Sequence, residues 1–334
     1  MRPILGITMG DAAGIGPELI LKALATHGVD RCCRPLVIGS LATMEFYRDR
    51  LRIPVRFHSV QSAAAARYEP CAVDVLDLGI VDVPRLKIGV VDANPGVAAV
   101  VYTQEAGRMA LRGDIDAIVS APLNKEAMRA AGYRFEGQTE ILGELAGSKR
   151  YGMILLLGNL RVMMLTTHCA LQDACRAVTK ERVLGMLTLA DQSLRAFGID
   201  SPRIAVAGLN PHAGEGGLFG REEVEGSIPA IEAARASGIN ALGPIPADVV
   251  FLKARDGAFD LVLAMYHDQA NMAGKLLGFG EVVTVIAGIP FIRTSVGHGT
   301  AFDIAGKGVA DEKNFVLAIE KAAELASLKK GQAR

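Results

Sequence analysis

The chain has 334 residues, 36 basic and 36 acidic side chains, 50% hydrophobic residues and no tryptophan. That length exceeds what a single growing core supports, so two lobes are expected. Balanced charge without a basic stripe argues against a nucleic-acid binder and leaves small molecules as the expected partners. The five cysteines, Cys32, Cys33, Cys71, Cys169 and Cys175, show neither a metal-ligand spacing nor an even disulfide framework, as expected of a reduced cytosolic protein. The opening MRPILGITMGDAAG holds an apolar stretch too short for a signal peptide or a membrane span, and no later stretch spans either, so a cytoplasmic location is expected.

Short runs rich in Val, Ile and Leu alternate with Ala-rich segments of helical period, the pattern of βα units on a mostly parallel sheet, and the fold class is α/β. In chain order, strands are expected at residues 5–8, 35–39, 117–120, 152–157, 162–165, 204–207, 261–265 and 282–286, with helices between most of them. Phe315, Val316, Ile319, Ala322, Ala323 and Ala326 mark one face of a closing helix, and the last residues, KKGQAR, are expected to fray. No linker rich in Gly, Ser or Pro divides the chain, so any passage between lobes lies inside the α/β pattern.

The chemistry concentrates at strand ends. His168 follows RVMMLTT, His212 follows RIAVAGLNP and His267 follows DLVLAMY. In an open parallel sheet ligands collect outside the carboxyl ends of the strands, so the three imidazoles are expected to converge. Three imidazoles with an open fourth position compose a catalytic metal site. After the first strand, GDAAGIGPE turns into a helix with Pro17 near its first position; its glycines either let amides cradle an anion or allow tight packing. SAPLNKEAM places Lys125 at a helix start, where a lysine binds an anion or moves a proton. GLNPHAGEGGLFGREE surrounds His212 with Asn210, Glu215 and Glu222 and reads as an active-site loop. Asp268 and Gln269 follow His267, and an acid beside a ligand orients it or lines the cavity. Asp248 is a weaker candidate for that role. His27 and His58 sit in polar surroundings without evident partners and are assigned nothing.

Residues 291–311 hold Arg293, His298, Asp303 and four glycines. Within them, HGTAFDIAGKG resembles the coenzyme-binding loop of isopropylmalate and isocitrate dehydrogenases, and GDAAGIGPE resembles their N-terminal turn. A closer resemblance covers nearly the whole chain. GDAAGIGPE, SAPLNKEAM, GQTE, GLNPHAGEGG, YHDQ and IRTSVGHGTAFDIAGKG, in this order, are similar to the 4-hydroxythreonine-4-phosphate dehydrogenase family of pyridoxal phosphate biosynthesis. The resemblance implies two α/β/α lobes with mostly parallel sheets, a site in the cleft between them, and a homodimer. The expected lobes are residues 1–128 with 280–334 for the coenzyme, and 129–279 for metal, substrate and dimerisation. It further implies a divalent metal, zinc or else cobalt, manganese or magnesium, on His168, His212 and His267, the third ligand coming from the partner subunit. Substrate falls on Gln138, Thr139, Lys275, Thr284 and Arg293. NAD falls on Gly14, Gly16, His298, Gly299, Thr300 and Asp303, and Lys125, Asp248 and Asp268 are the candidate catalytic groups. NAD is expected over NADP because no arginine cluster for a 2′-phosphate is evident.

The implied reaction is oxidation of a secondary alcohol in a hydroxy acid, with decarboxylation. Three positions depart from the biosynthetic pattern: Gln138 stands for a His, Thr284 for an Asn and Gly297 for an acid. Paralogues with the same metal ligands and coenzyme loop act on 4-phosphorylated threonate or erythronate, or on cis-dihydrodiol carboxylates such as terephthalate dihydrodiol. HDQANMAGKLLGFG and SVGHG look more like these paralogues, whereas the retained PLNK and GQTE segments look less like the dihydrodiol branch. Two other classes use parts of the same pattern. A three-His metal hydrolase or aldolase would not need the loop from His298 to Gly308, and a non-catalytic binder on this fold would not need an open three-His site.

Overall fold

The first apolar run forms β1 (Ile4–Thr8) of a computed structural model that describes residues 2–26, 28–69, 72–278 and 280–332, leaving His27 and Cys71 outside the described residues. From there the chain alternates strand and helix: α1 (Gly16–Thr26), β2 (Arg34–Gly39), α2 (Leu41–Leu51), β3 (Arg56–Val60), β4 (Ala72–Asp77), α3 (Ala93–Arg112), β5 (Ala117–Ser120), α4 (Lys125–Ala130) and α5 (Gln138–Leu145). Next come β6 (Gly152–Leu157), β7 (Leu160–Met164), α6 (Leu171–Arg176), α7 (Lys180–Ala196), β8 (Ile204–Ala207), α8 (Ile228–Ala236), β9 (Ala241–Ile245), α9 (Ala247–Arg255), β10 (Leu261–Ala264), α10 (His267–Leu277) and β11 (Val283–Ala287). The chain closes with β12 (Ile292–Val296) and α11 (Lys313–Gln332). No helix among the described residues is long and apolar enough to cross a membrane.

Two units emerge, Met1–Lys149 with Ile289–Arg334, and Arg150–Gly288. In the first, the strand order is β3-β4-β2-β1-β5-β12 and every pairing is parallel. In the second the order is β11-β6-β7-β10-β8-β9. Here β7, β10, β8 and β9 run parallel, while β6 pairs antiparallel with both β7 and β11. Residues 129–149, expected in the second lobe, belong to the first because Ile141 of α5 is buried with Val100 of α3 and Met128 of α4. Residues 280–288 belong to the second because β11 is hydrogen-bonded to β6.

Four strands escaped the aliphatic-run criterion, each for a local reason. β3 (RFHSV) is a half-exposed edge strand with polar residues, and β4 (AVDVLD) carries Asp74 into the core. β9 (ALGPI) contains a Gly-Pro pair, which sheet edges tolerate. β12 (IRTSV) is buried along its whole length despite Arg293, Thr294 and Ser295. Arg293 therefore lies in a strand, not in the glycine-rich loop that follows it. The terminal segment KKGQAR is helical as far as Gln332, so it does not fray there; Ala333 and Arg334 are outside the described residues. The expected apolar face of α11 is buried, with Phe315, Ile319 and Ala322 fully so. Phe315→Ala should cost about 3–5 kcal/mol of unfolding free energy in urea titration, since its cavity opens in a packed core; a loss under about 1 kcal/mol would mean that α11 is not an integral part of that core.

Candidate active site

In the second unit the neighbours β7, β10 and β8 run parallel, so their carboxyl ends open on one edge. His168 follows β7, His267 opens α10 just beyond β10, and His212 follows β8. The His168 and His267 rings stand 5.5 Å apart between centroids. His212 instead packs edge-on against Phe219 at 6.1 Å, and its Nδ1 meets Glu215 Oε2 at 3.2 Å. Among the described residues no three His, Cys, Asp or Glu side chains come close enough to hold one ion. Within one chain, therefore, His168 and His267 pair while His212 is not grouped with them.

The turn after β8 holds His212 in its own setting. Residues 212–216 all take left-handed backbone angles, including the non-glycines His212 (φ 54°), Ala213 (φ 54°) and Glu215 (φ 45°). Each such residue costs roughly 1–2 kcal/mol, so the turn needs outside support. Glu223, fully buried although its sequence context is that of a surface acid, supplies it. Its Oε1 accepts from the amides of Leu209 at 2.8 Å and Asn210 at 2.7 Å, and its Oε2 accepts from Asn210 Nδ2 at 2.9 Å. Glu222 Oε2 accepts from the same Asn210 amide nitrogen at 2.8 Å. Gln269 ties the β10 and β8 outlets together, accepting from Met265 N at 2.7 Å and donating to the Gly208 carbonyl at 2.9 Å. The signal available in the sequence was an acid and an amide each a few residues from a candidate ligand. Asp268 Oδ1 lies 2.8 Å from His267 Nδ1, and Asp268 itself is exposed. Asp248 is exposed in the first turn of α9, Lys275 is exposed on α10, and Thr284 is buried on β11.

In the first unit, β5 and β12 carry the polar chemistry. Arg293 is buried, its Nε donating to Ser120 Oγ at 3.0 Å and its guanidinium also donating to Gln138 Oε1. Gln138 donates in turn to the Ala121 carbonyl at 3.0 Å, so its amide is held at both ends. Burial pulls the Arg293 guanidinium down to about 10, with Glu140 opposing. Both hydrogen-bond acceptors are neutral, and among the described residues no carboxylate contacts this desolvated cation. Thr139 is half-buried beside Gln138, and Lys125 is exposed at the first position of α4, which Asn124 caps by accepting from Ala127 N at 2.9 Å.

The glycine-rich turn resolves toward packing. The amides of Ala13, Gly14 and Ile15 are already bonded, to Asp11 Oδ1, the Asp11 carbonyl and the Thr300 carbonyl, so they are not free to cradle a phosphate. A Cβ on Gly14 would come within 2.9 Å of Thr300 Cβ, and one on Gly16 within 2.4 Å of the Met9 carbonyl. Gly14 and Gly16 thus act by admitting close backbone approach, not as a cradle. Gly14 seats the loop that begins at His298, where His298, Gly299 and Asp303 are exposed and Thr300 is buried, while Gly16 packs against Met9 and Ala121. One arginine does reach this loop, Arg50 Nε donating to the Gly306 carbonyl at 2.8 Å. His58, assigned nothing for want of partners, has two: Asp74 at 3.6 Å and Glu69 at 3.9 Å.

Residues 31–322 match the family described as pyridoxal phosphate biosynthetic protein PdxA. The chain belongs to that family. It is 47% identical to the D-threonate 4-phosphate dehydrogenase of Cupriavidus necator, over 97% of this chain and 98% of that protein. The crystal structure of the 4-hydroxythreonine-4-phosphate dehydrogenase from Klebsiella pneumoniae superposes with a TM-score of 0.92 at 41% identity, covering 98% of each chain. A terephthalate 1,2-cis-dihydrodiol dehydrogenase from Burkholderia xenovorans is more distant, with a TM-score of 0.67 and 29% identity, over 97% of this chain and 98% of that one. The protein is accordingly an oxidoreductase.

Asp11, in the first turn of this family motif, gives a pH test. Burial pushes its carboxyl up to about 6, Asp92 adding to the shift while the Ala13 and Asn124 backbones oppose it. An unfolded aspartate titrates near ~3.9. Between about pH 4 and pH 6 the folded chain therefore keeps a proton that the unfolded chain has lost, and stability falls as pH rises through that window, by on the order of 2–3 kcal/mol. Asp11→Asn, neutral throughout, should gain on the wild type between pH 4 and pH 7 in urea titrations. Parallel stability curves across that range would mean that Asp11 is already ionised in the fold.

Proposed function

We propose that this protein is an NAD-dependent, divalent-metal-dependent dehydrogenase that oxidises and decarboxylates a 4-phosphorylated hydroxy acid, D-threonate 4-phosphate. The observation that carries the reading is the buried Arg293, whose guanidinium rests on neutral Ser120 and Gln138. Such a cation is completed by an anionic substrate group, for which the guanidinium fork supplies paired donors. Gln138 supports a substrate unlike that of the biosynthetic branch, because a neutral amide fixed by Ala121 cannot take on the charge that a histidine carries there. The 47% identical relative bears the name of the same substrate, and the dihydrodiol reading is the more distant one.

The donor chemistry suits both absent groups. His168 and His267 offer two imidazoles to a borderline ion such as zinc, with cobalt, manganese or magnesium as substitutes, and the exposed His298, Gly299 and Asp303 leave room for a dinucleotide. When bound, the ion supplies Lewis acidity and NAD a hydride acceptor. The residues do the rest. Arg293, with Gln138 and Thr139, holds the anionic end; Asp268 fixes the His267 ring; Lys125 or Lys275 accepts the alcohol proton as hydride leaves the carbinol carbon. The β-keto acid so formed breaks its bond to the carboxylate, releases carbon dioxide, and takes up a proton at the remaining carbon.

The functional unit we infer is a homodimer that completes the metal site. The support is the separation of His212 from the His168–His267 pair. Exposed apolar side chains on its loop and on α10, Leu218 at 72% and Leu276 at 84%, suit cover by a second copy. His212→Ala and His267→Ala should each abolish turnover, whereas equimolar exchange of the two variants' subunits should restore about a quarter of wild-type activity, since half the dimers are mixed and each holds one intact site. A mixture as inactive as its parents contradicts sharing.

The substrate is tested by NADH formation with D-threonate 4-phosphate, D-erythronate 4-phosphate, 4-phosphooxy-L-threonine and a cis-dihydrodiol carboxylate. D-threonate 4-phosphate should give the highest kcat/KM, and Arg293→Met should lower it by roughly a hundredfold or more. Turnover of 4-phosphooxy-L-threonine far above the others overturns the reading.

A further inference from the structure

Glu18, the last residue of GDAAGIGPE, is fully buried on α1, and neither it nor Lys22 has a place in the chemistry above. Its carboxylate accepts from the amide of Ala310 at 2.8 Å through Oε1 and from that of Gly308 at 3.2 Å through Oε2. Lys22, one helical turn on, lies 3.0 Å from Glu18 Oε1 and donates to the carbonyls of Gly308 at 2.9 Å and Ala310 at 2.6 Å. A single ion pair on α1 thus bonds both the amide and the carbonyl of two residues at the far end of the loop that opens at His298. The near end is tied by Ile15 N donating to the Thr300 carbonyl at 3.0 Å, and the middle by Arg50 on Gly306. Between these ties the stretch carries the exposed Asp303 and Lys307 on either side of the buried Ala305 and Gly306.

We propose that Glu18 and Lys22 are positioning residues that fix the 308–310 end of this loop and thereby set dinucleotide affinity, a proposal that rests on the reading of the loop as the coenzyme site. The physical argument is pre-organisation. A loop held at both ends does not have to be ordered when the coenzyme arrives, so the ordering cost is met in folding and not in binding. A buried carboxylate bonded to amides and an adjacent cation is worth its desolvation only where it holds a defined backbone geometry, and here the geometry held is that of the loop end.

Lys22→Met removes the two carbonyl bonds from a partly exposed side chain and spares the buried carboxylate. It should weaken NADH binding, followed by nicotinamide fluorescence, by roughly tenfold, and raise KM for the coenzyme by more than it lowers kcat. Hydrogen exchange at the Gly308 and Ala310 amides, and tryptic cleavage after Lys307, should quicken in the same variant while exchange in β1 and β5 stays at the wild-type rate. Lys22→Arg, which keeps a donor, should restore most of the affinity. Unchanged exchange at Gly308 and Ala310 in Lys22→Met overturns the clamp. Faster exchange with unchanged NADH affinity overturns its role in binding. Wild-type protein that binds neither NADH nor NADPH overturns the coenzyme reading itself and the affinity part of the proposal with it, while the exchange measurement still decides the clamp.

Discussion

Strands that run parallel deliver their carboxyl ends to one edge, and the placement of the polar chemistry in this protein depends on that constraint. In the first unit β1, β5 and β12 are adjacent and parallel, which sets Asp11 and Ser120 at neighbouring outlets and Arg293 beside Ile118 in register. In the second unit β7, β10 and β8 do the same for His168, His267 and His212. The antiparallel β6 lies outside both sets. Residues far apart in sequence reach one edge because βα crossovers return each strand in the same direction.

Once at an outlet, a polar group must be held, and the chain does this with buried charge bonded to backbone. Glu223 gathers the amides that lead into the left-handed turn bearing His212, and Glu18 gathers those that end the loop beginning at His298. In each case a carboxylate desolvated by the fold is compensated by several N–H donors, an arrangement stable only in one loop geometry. Arg293, which lies within β12 and not at its outlet, is different: it is a desolvated cation resting on neutral oxygens. In the function proposed above, an anionic substrate group completes it.

Much of this was legible in the sequence. Aliphatic runs located eight strands to within a residue or two, and the three histidines were visible because each directly follows such a run. What the pattern could not supply was whether the outlets meet in one chain, since that depends on the backbone angles of residues 212–216, which alternate glycine with residues that seldom adopt them. β12 was hidden because a buried strand containing Arg, Thr and Ser does not look buried. Glu18 and Glu223 look like ordinary surface acids, and only the fold reveals that their solvent has been replaced by amides. The glycines of GDAAGIGPE left an anion cradle and tight packing both open in the sequence; the amides of residues 13–15 are bonded within the protein and Gly14 and Gly16 sit in close contacts, which favours packing.

The central claim is that the outlets of β7, β10 and β8 carry a metal site. Equilibrium dialysis of the metal-free protein against cobalt(II) or zinc tests it directly. The account predicts about one ion per chain, lost in His168→Ala and in His267→Ala and kept in His58→Ala. Binding that survives both losses, or that disappears with His58, would contradict it.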